Sequence, residues 1–198
     1  MANISYGVNF LPKTNNTYTL GNSDYKWSTI YSVNLNITDL DVANSISMDR
    51  KSSTTVGENS VALGYNNTAS GAGTVAEGYA SVASGNCSHT EGGYTTASAQ
   101  AAHAEGDYTT ASGTSSHAEG GSTTASAQGA HAEGYSTTAS YAFSHAEGMY
   151  TTANSSGAHA EGSTTKSRGT GSHTEGIFTH ASGMGSHAEG LGKSTTSN

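Results

Sequence analysis

Five residues, Ser/Ala-His-Ala/Thr-Glu-Gly, return eight times between Ser88 and Gly190, always 14 residues apart. The histidines are His89, His103, His117, His131, His145, His159, His173 and His187; the glutamates are Glu91, Glu105, Glu119, Glu133, Glu147, Glu161, Glu175 and Glu189. Glu77 extends the second series by one step. Glycines keep the same beat at Gly64, Gly78, Gly92, Gly106, Gly120, Gly134, Gly148, Gly162, Gly176 and Gly190. Between copies lies a second phrase, Thr-Thr-Ala-Ser, as at Thr95–Ser98 and Thr109–Ser112. A short period kept for over a hundred residues specifies a solenoid, in which each unit is completed only by stacking on its neighbour.

The composition fits stacking better than a conventional core. Only 33% of the 198 residues are hydrophobic, and 26 are glycine, which leaves little apolar surface for a globular interior. The net charge of −8 disfavours nucleic acid, which is bound through a basic footprint. The single cysteine, Cys87, excludes an intrachain disulfide framework. No apolar run approaches the about 18 residues of a membrane span, so no membrane insertion is expected. Met1–Phe10 shows neither the basic nor the apolar region of a signal peptide, and an exported adhesin is expected to begin differently.

Residues 1–44 stand outside the repeat and read as an attachment or capping segment. Asn15-Asn16 and Gly21–Asp24 mark turns between short strands, and Val33, Leu35 and Ile37 alternate with polar residues as in a half-buried strand. The phrase Leu11-Pro12, Tyr18, Leu20-Gly21, Trp27, Ile30-Tyr31 resembles a motif recurring in bacteriophage tail-fibre and appendage proteins.

The repeat domain spans 45–198. Ser45–Asp49 aligns with Ser60–Gly64 after 15 residues, so one coil carries an extra residue; from Ser60 the step is 14. Asn59-Ser60-Val61-Ala62-Leu63-Gly64 resembles the head repeat of trimeric autotransporter adhesins. The later Ser-His-Ala-Glu-Gly copies resemble the variant of that repeat in phage tail proteins. This resemblance implies an all-β, left-handed parallel β-roll assembled as a homotrimer. The autotransporters also carry a signal peptide, coiled-coil stalk and membrane anchor, none of which is recognised here, so the resemblance favours the phage branch.

One coil is numbered from the Ser/Ala before His. Positions 1–4 predict one short strand, Gly at position 5 a turn, positions 8–11 a second strand and positions 12–14 the return. About eleven coils at the parallel-strand spacing of about 4.8 Å give a rod of about 50 Å. Position 3 (Ala62 to Ala188) and position 10 (Ala69 to Ala181) are small throughout and are predicted to face each other inside a thin roll. Positions 9 and 11, where Lys166 and Arg168 stand, point outward.

Positions 2 and 4 share the remaining face. It begins with Ile46 and Met48, continues with Val61 and Leu63, then Val75 and Glu77, and from His89 onward holds His with Glu. A face that opens with Ile, Met, Val and Leu is a buried one, yet alanines already fill the roll. Alanines alone, at about 25 cal/mol per Å² of apolar area, offset poorly the cost of ordering so glycine-rich a chain. An intermolecular contact resolves both difficulties, and three copies meeting on one axis through positions 2 and 4 are expected.

Enzymatic chemistry is not expected. An active site is one constellation, not eight identical ones. His-x-Glu lacks the His-Glu-x-x-His spacing of zinc proteases, and no nucleophile elbow or phosphate loop occurs. No cofactor and no metal site are predicted; the one metal arrangement geometry permits is an axial ion held by three histidines per layer. The preferred reading is a satisfied polar core of His donating to Glu across chains. If those pairs are charged, stability peaks in mildly acidic solution; if desolvation dominates, the imidazoles stay neutral.

Tyrosines at positions 6 and 7 (Tyr65, Tyr79, Tyr94, Tyr108, Tyr135, Tyr150) read either as a ladder for a glycan or receptor, or as rings packing on one another and on a neighbouring subunit. The second is preferred. Phe143, Met149, Ile177, Phe178 and Met184 break the pattern and suggest a partner surface. An ice-binding solenoid would use the Thr-Thr row, but adjacent threonines point to opposite faces.

The expected function is a structural virion protein, a trimeric tail fibre or baseplate appendage. Residues 1–44 would contact other tail or baseplate proteins, with a host receptor or glycan as a further partner. Such a protein is assembled in the host cytoplasm and resides in the virion tail. The alternative is a bacterial trimeric adhesin head at the cell surface. The last coil stops in a polar tail, and the phage resemblance implies a precursor with a C-terminal chaperone domain that cleaves itself off.

Overall fold

A computed structural model describes residues 46–47, 56–192 and 194–195. The chain divides between Asp41 and Val42. The expected attachment segment 1–44 lies outside the described residues, as do Met48 and Asp49.

The described residues contain no helix. They form two parallel sheets, one of eleven strands from Ile46–Ser47 to His187–Ala188, the other of ten from Thr68–Ala69 to Ser194–Thr195. Each coil contributes one strand to each sheet, and residues 56–192 span nine complete 14-residue coils. The fold is therefore an all-β parallel solenoid. Its register places like on like: His103 pairs with His117, Ala104 with Ala118, Glu105 with Glu119. The extra residue of the first coil is visible in the pairing of Ile46 with Val61 and Ser47 with Ala62.

Backbone groups supply the bonding that the apolar surface does not. His89 N donates to Ala102 O at 2.9 Å, Thr96 N to Thr109 O at 2.9 Å and Ser98 N to Ala111 O at 3.1 Å. The corners bond between coils as well, as in Tyr94 N to Tyr79 O and Ala101 N to Asn86 O, both 2.9 Å. A chain of glycine, serine and alanine can fold this way because the ladder satisfies the backbone polar groups that burial would otherwise leave unpaired.

The alanine rows at positions 3 and 10 are buried, from Ala62 to Ala188 and from Ala69 to Ala181. The interior is wider than these two rows. Position 1 (Ser60, Thr74, Ser88, Ala102) and position 8 (Asn67, Ser81 and the threonines from Thr95 to Thr179) are buried too. The second strand is shorter than the expected positions 8–11, covering positions 9 and 10 as in Thr110–Ala111, and the position 8 threonines stand just before it. Where position 8 is not threonine, its polar atoms are well used: Asn67 Nδ2 donates to Gly78 O at 2.9 Å and Asn67 Oδ1 accepts from Ser81 N at 2.9 Å. Thr95 Oγ1 donates to Ser81 Oγ at 2.9 Å. In the middle coils the hydroxyls of Thr109, Thr123, Thr137, Thr151 and Thr165 have no partner.

The reading of position 5 as the turn is corrected. Gly64, Gly78, Gly92, Gly106, Gly120, Gly134 and Gly148 lie inside five-residue strands such as His103–Asp107. All ten glycines have φ between 96 and 106°. From Gly64 to Gly176 an added Cβ would stand 2.1–2.3 Å from the next coil's glycine carbonyl oxygen. Glycine is required there by close approach, not by reversal. The reversals fall at positions 7 and 14, where Asn66, Ala80, Tyr94, Ala101, Tyr108 and Phe143 among others sit at φ 53–60°. The left-handed region is costly for non-glycine residues; the stacked corners impose it.

Candidate functional site: the histidine–glutamate column

In-register stacking converts a sequence repeat into continuous columns of one chemistry. On the outer face of the first sheet, positions 2 and 4 bring together Val61, Leu63, Val75 and Glu77, followed by the eight His/Glu pairs, as expected for side chains two apart on a strand. The imidazoles from His89 to His187 form one stack, with ring centroids 4.7–4.9 Å apart and interplanar angles of 2–11°.

Six of the stacked histidines, His103 to His159 and His187, lie beside a glutamate of their own coil. Nε2–Oε2 distances are 3.5 Å for His103–Glu105 and His131–Glu133, 3.6 Å for His117–Glu119, and 3.7 Å for His145–Glu147 and His159–Glu161. These are close contacts but too long for good hydrogen bonds. Accordingly, the Nε2 atoms of His89, His103, His117, His131, His145, His159 and His173 are shielded from solvent yet have no hydrogen-bond partner. The rest of each side chain is not enclosed: His103 remains 34% exposed and Glu105 37%.

Burial lowers the titration of His103 and His145, and the neighbouring imidazoles of the stack push in the same direction, while nearby glutamates pull the other way and lose. These two histidines are therefore neutral at pH 7. At these two positions, of the two branches open from sequence, desolvation outweighs the pull of the glutamates.

Metal binding within one chain can be tested on the same distances. Triads such as His103, Glu105 and His117 place one ligand atom each within 4.8 Å of one another. Parallel rings 4.7 Å apart hold equivalent nitrogens at about that separation, whereas two nitrogens on one zinc ion at about 2.1 Å each span at most about 4.2 Å. A single coil could thus offer an ion one His and one Glu, half of a tetrahedral set.

The tyrosines gather at one corner of the coil. Tyr65 and Tyr79 stack at 5.3 Å, Tyr94 and Tyr108 at 4.8 Å, and Tyr135 meets Tyr150 edge-on at 5.7 Å. They pack on one another but stay about half exposed. Met149, Ile177 and Leu191 continue the position 6 column through bridges via Ser163, and Phe143, Phe178 and Met184 are exposed elsewhere. The Thr-Thr pair divides as expected, Thr109 and Thr123 inward, Thr110 and Thr124 outward.

Two features are not visible in residue type. The inward threonine column at position 8 follows only from alternation with position 10, because the outward threonine beside it is the same residue. His180 was overlooked because it lies off the 14-residue beat of the other histidines; it pairs with Lys166 on the second sheet, a relation legible in the spacing.

The sequence matches the YadA head domain repeat in two copies, at residues 56–81 and 104–132. The same coil geometry continues between and beyond these stretches. No curated protein matches the chain.

Proposed function

We propose that this chain, which carries YadA head repeats, is a non-catalytic structural rod that assembles as a homotrimer and presents an attachment surface. One observation carries the proposal. Seven shielded imidazole nitrogens without a hydrogen-bond partner, on a face that opens with Val61, Leu63 and Val75, make an outer surface unfinished in the single chain. Copies of the same face, arranged about one axis, would supply donors and acceptors to those nitrogens and cover the aliphatic start of the column. The resemblance of the repeat to trimeric adhesin heads supports three copies and a left-handed roll.

The setting we propose is a phage tail fibre or baseplate appendage, with residues 1–44 joining neighbouring tail proteins. Support comes from the phrase between Leu11 and Tyr31 and from the Ser-His-Ala-Glu-Gly form of the repeat. Immunogold labelling of purified particles and of intact cells tests it. Label on tails is expected; label confined to the bacterial envelope would overturn the setting and favour the cell-surface adhesin.

A further inference from the structure

Charge is divided between the two sheets. Nine glutamates, Glu77 to Glu189, recur on the outer face of the first. The outer positions of the second, 9 and 11, hold no acid among the described residues. They are threonine, serine, valine and asparagine except at Lys166, Arg168 and His180. Lys166 and Arg168 are the only lysine and arginine between residues 56 and 192. They are two apart on one extended segment and so point to the same side. Lys166 pairs in register with His180 on the next coil, and Arg168 N bonds to Ala181 O at 2.8 Å, which keeps the segment in the ladder. Neither cation forms an ion pair among the described residues. The titration of His180 is lowered by burial and, next, by Arg168 and Lys166, so the three groups share one field.

We propose that Lys166, Arg168 and His180 bind a tetrahedral oxyanion, a phosphate or sulfate group, carried on a polymer that lies along the second sheet. The arginine fork matches two oxyanion oxygens, the lysine adds a point charge, and the imidazole adds a donor. Thr152 and Asn154 of the preceding coil and Ser182 of the next occupy the same outward positions, and their hydroxyl and amide groups suit a hydroxylated polymer. A subunit contact fits less well. Interfaces made by this chain should repeat on every coil, as the His/Glu column does, whereas the cationic group occurs once. The identification of the polymer as a surface glycan rests on the attachment reading above; the oxyanion site does not.

The test uses the full chain and immobilised dextran sulfate, long-chain polyphosphate and unmodified dextran, read by biolayer interferometry at low and high salt. The variant is Lys166→Thr with Arg168→Ser, which restores the residues most other coils carry there and so leaves stacking intact. Circular dichroism and mass are measured alongside. The native chain is expected to bind at least one anionic polymer, more weakly at high salt, and not dextran. The double variant is expected to bind at least about tenfold more weakly, and Arg168→Lys to fall between. Preference for dextran sulfate identifies a sulfate source, preference for polyphosphate a phosphate one. No binding to either anionic polymer, or equal binding by the double variant, overturns the proposal. So does a changed mass of the double variant, which would make the patch a subunit contact.

Discussion

Replacing Gly134 by alanine tests whether the coils are locked together by backbone contact. At Gly134 φ is +102°, and a Cβ would stand 2.1 Å from the Gly148 carbonyl oxygen and 3.0 Å from its carbonyl carbon and nitrogen. Non-bonded heavy atoms prefer about 3.5–4.0 Å, so one coil must move by more than about 1 Å. Neighbouring coils cannot part that far without losing ladder bonds such as His131 N to Ser144 O at 2.9 Å. Two or three lost bonds at about 1 kcal/mol each, added to about 1–3 kcal/mol for alanine at this φ, give about 3–6 kcal/mol. Gly190 is the control. Its φ is +96°, but an added Cβ meets nothing within 4 Å, so Gly190→Ala should lose only the φ cost of about 1–3 kcal/mol. Urea unfolding followed by far-ultraviolet circular dichroism gives both values. Because solenoids can open in parts, amide exchange across His131–Met149 is read in parallel. Equal losses at the two glycines would show that φ strain alone requires glycine and would refute the close-approach argument.

The remaining predictions concern titration, the threonine column and the corners. His103 and His145 titrate below the ordinary value, so the unfolded chain takes up their protons first as pH falls. Their contribution is complete above about pH 6.5 and is lost as pH drops through the folded-state values. Melting temperature should thus hold on the neutral side and fall into acid, and a maximum in mildly acidic solution would contradict neutral imidazoles at His103 and His145. Thr137→Val removes an unpartnered buried hydroxyl and should stabilise by about 1 kcal/mol, whereas Thr95→Val removes the bond to Ser81 and should destabilise by about as much; thermal melts of the pair must move in opposite directions. Ala101, at φ 54°, should gain up to about 1 kcal/mol on change to glycine, and a loss in the same melts would show that the corner is unstrained.

Much of this architecture was legible because the period is strict. With like stacked on like, one coil read correctly gives every coil, and the outward pairing of His with Glu followed from their spacing of two on a strand. The 15-residue first step was readable for the same reason. What the sequence did not disclose was the backbone. Glycine at position 5 looks like a turn residue, yet its role depends on how near the next coil's carbonyl comes, a distance set by stacking. Of the true reversals, position 14 falls within the expected return and is glycine in half the coils, as at Gly73, Gly129 and Gly157. Position 7 mostly carries Ala, Ser, Thr, Tyr or Phe, residues with no turn signature that the stacked corners hold at positive φ. The position 8 threonines mark a further limit: alternation divides each Thr-Thr pair, but residue type alone does not say which member fills the interior.

The central claim is that the face bearing the shielded histidines closes on other copies of the chain. Sedimentation velocity measures it most directly, on the native chain over a wide concentration range and on Leu63→Asp, which would place three carboxylates in one dry layer of a trimer. A single species of about 60 kDa, three times the 19.9 kDa chain mass, is predicted for the native protein, with dissociation or loss of assembly in the variant. A folded 19.9 kDa monomer at all concentrations, unchanged by Leu63→Asp, would contradict it.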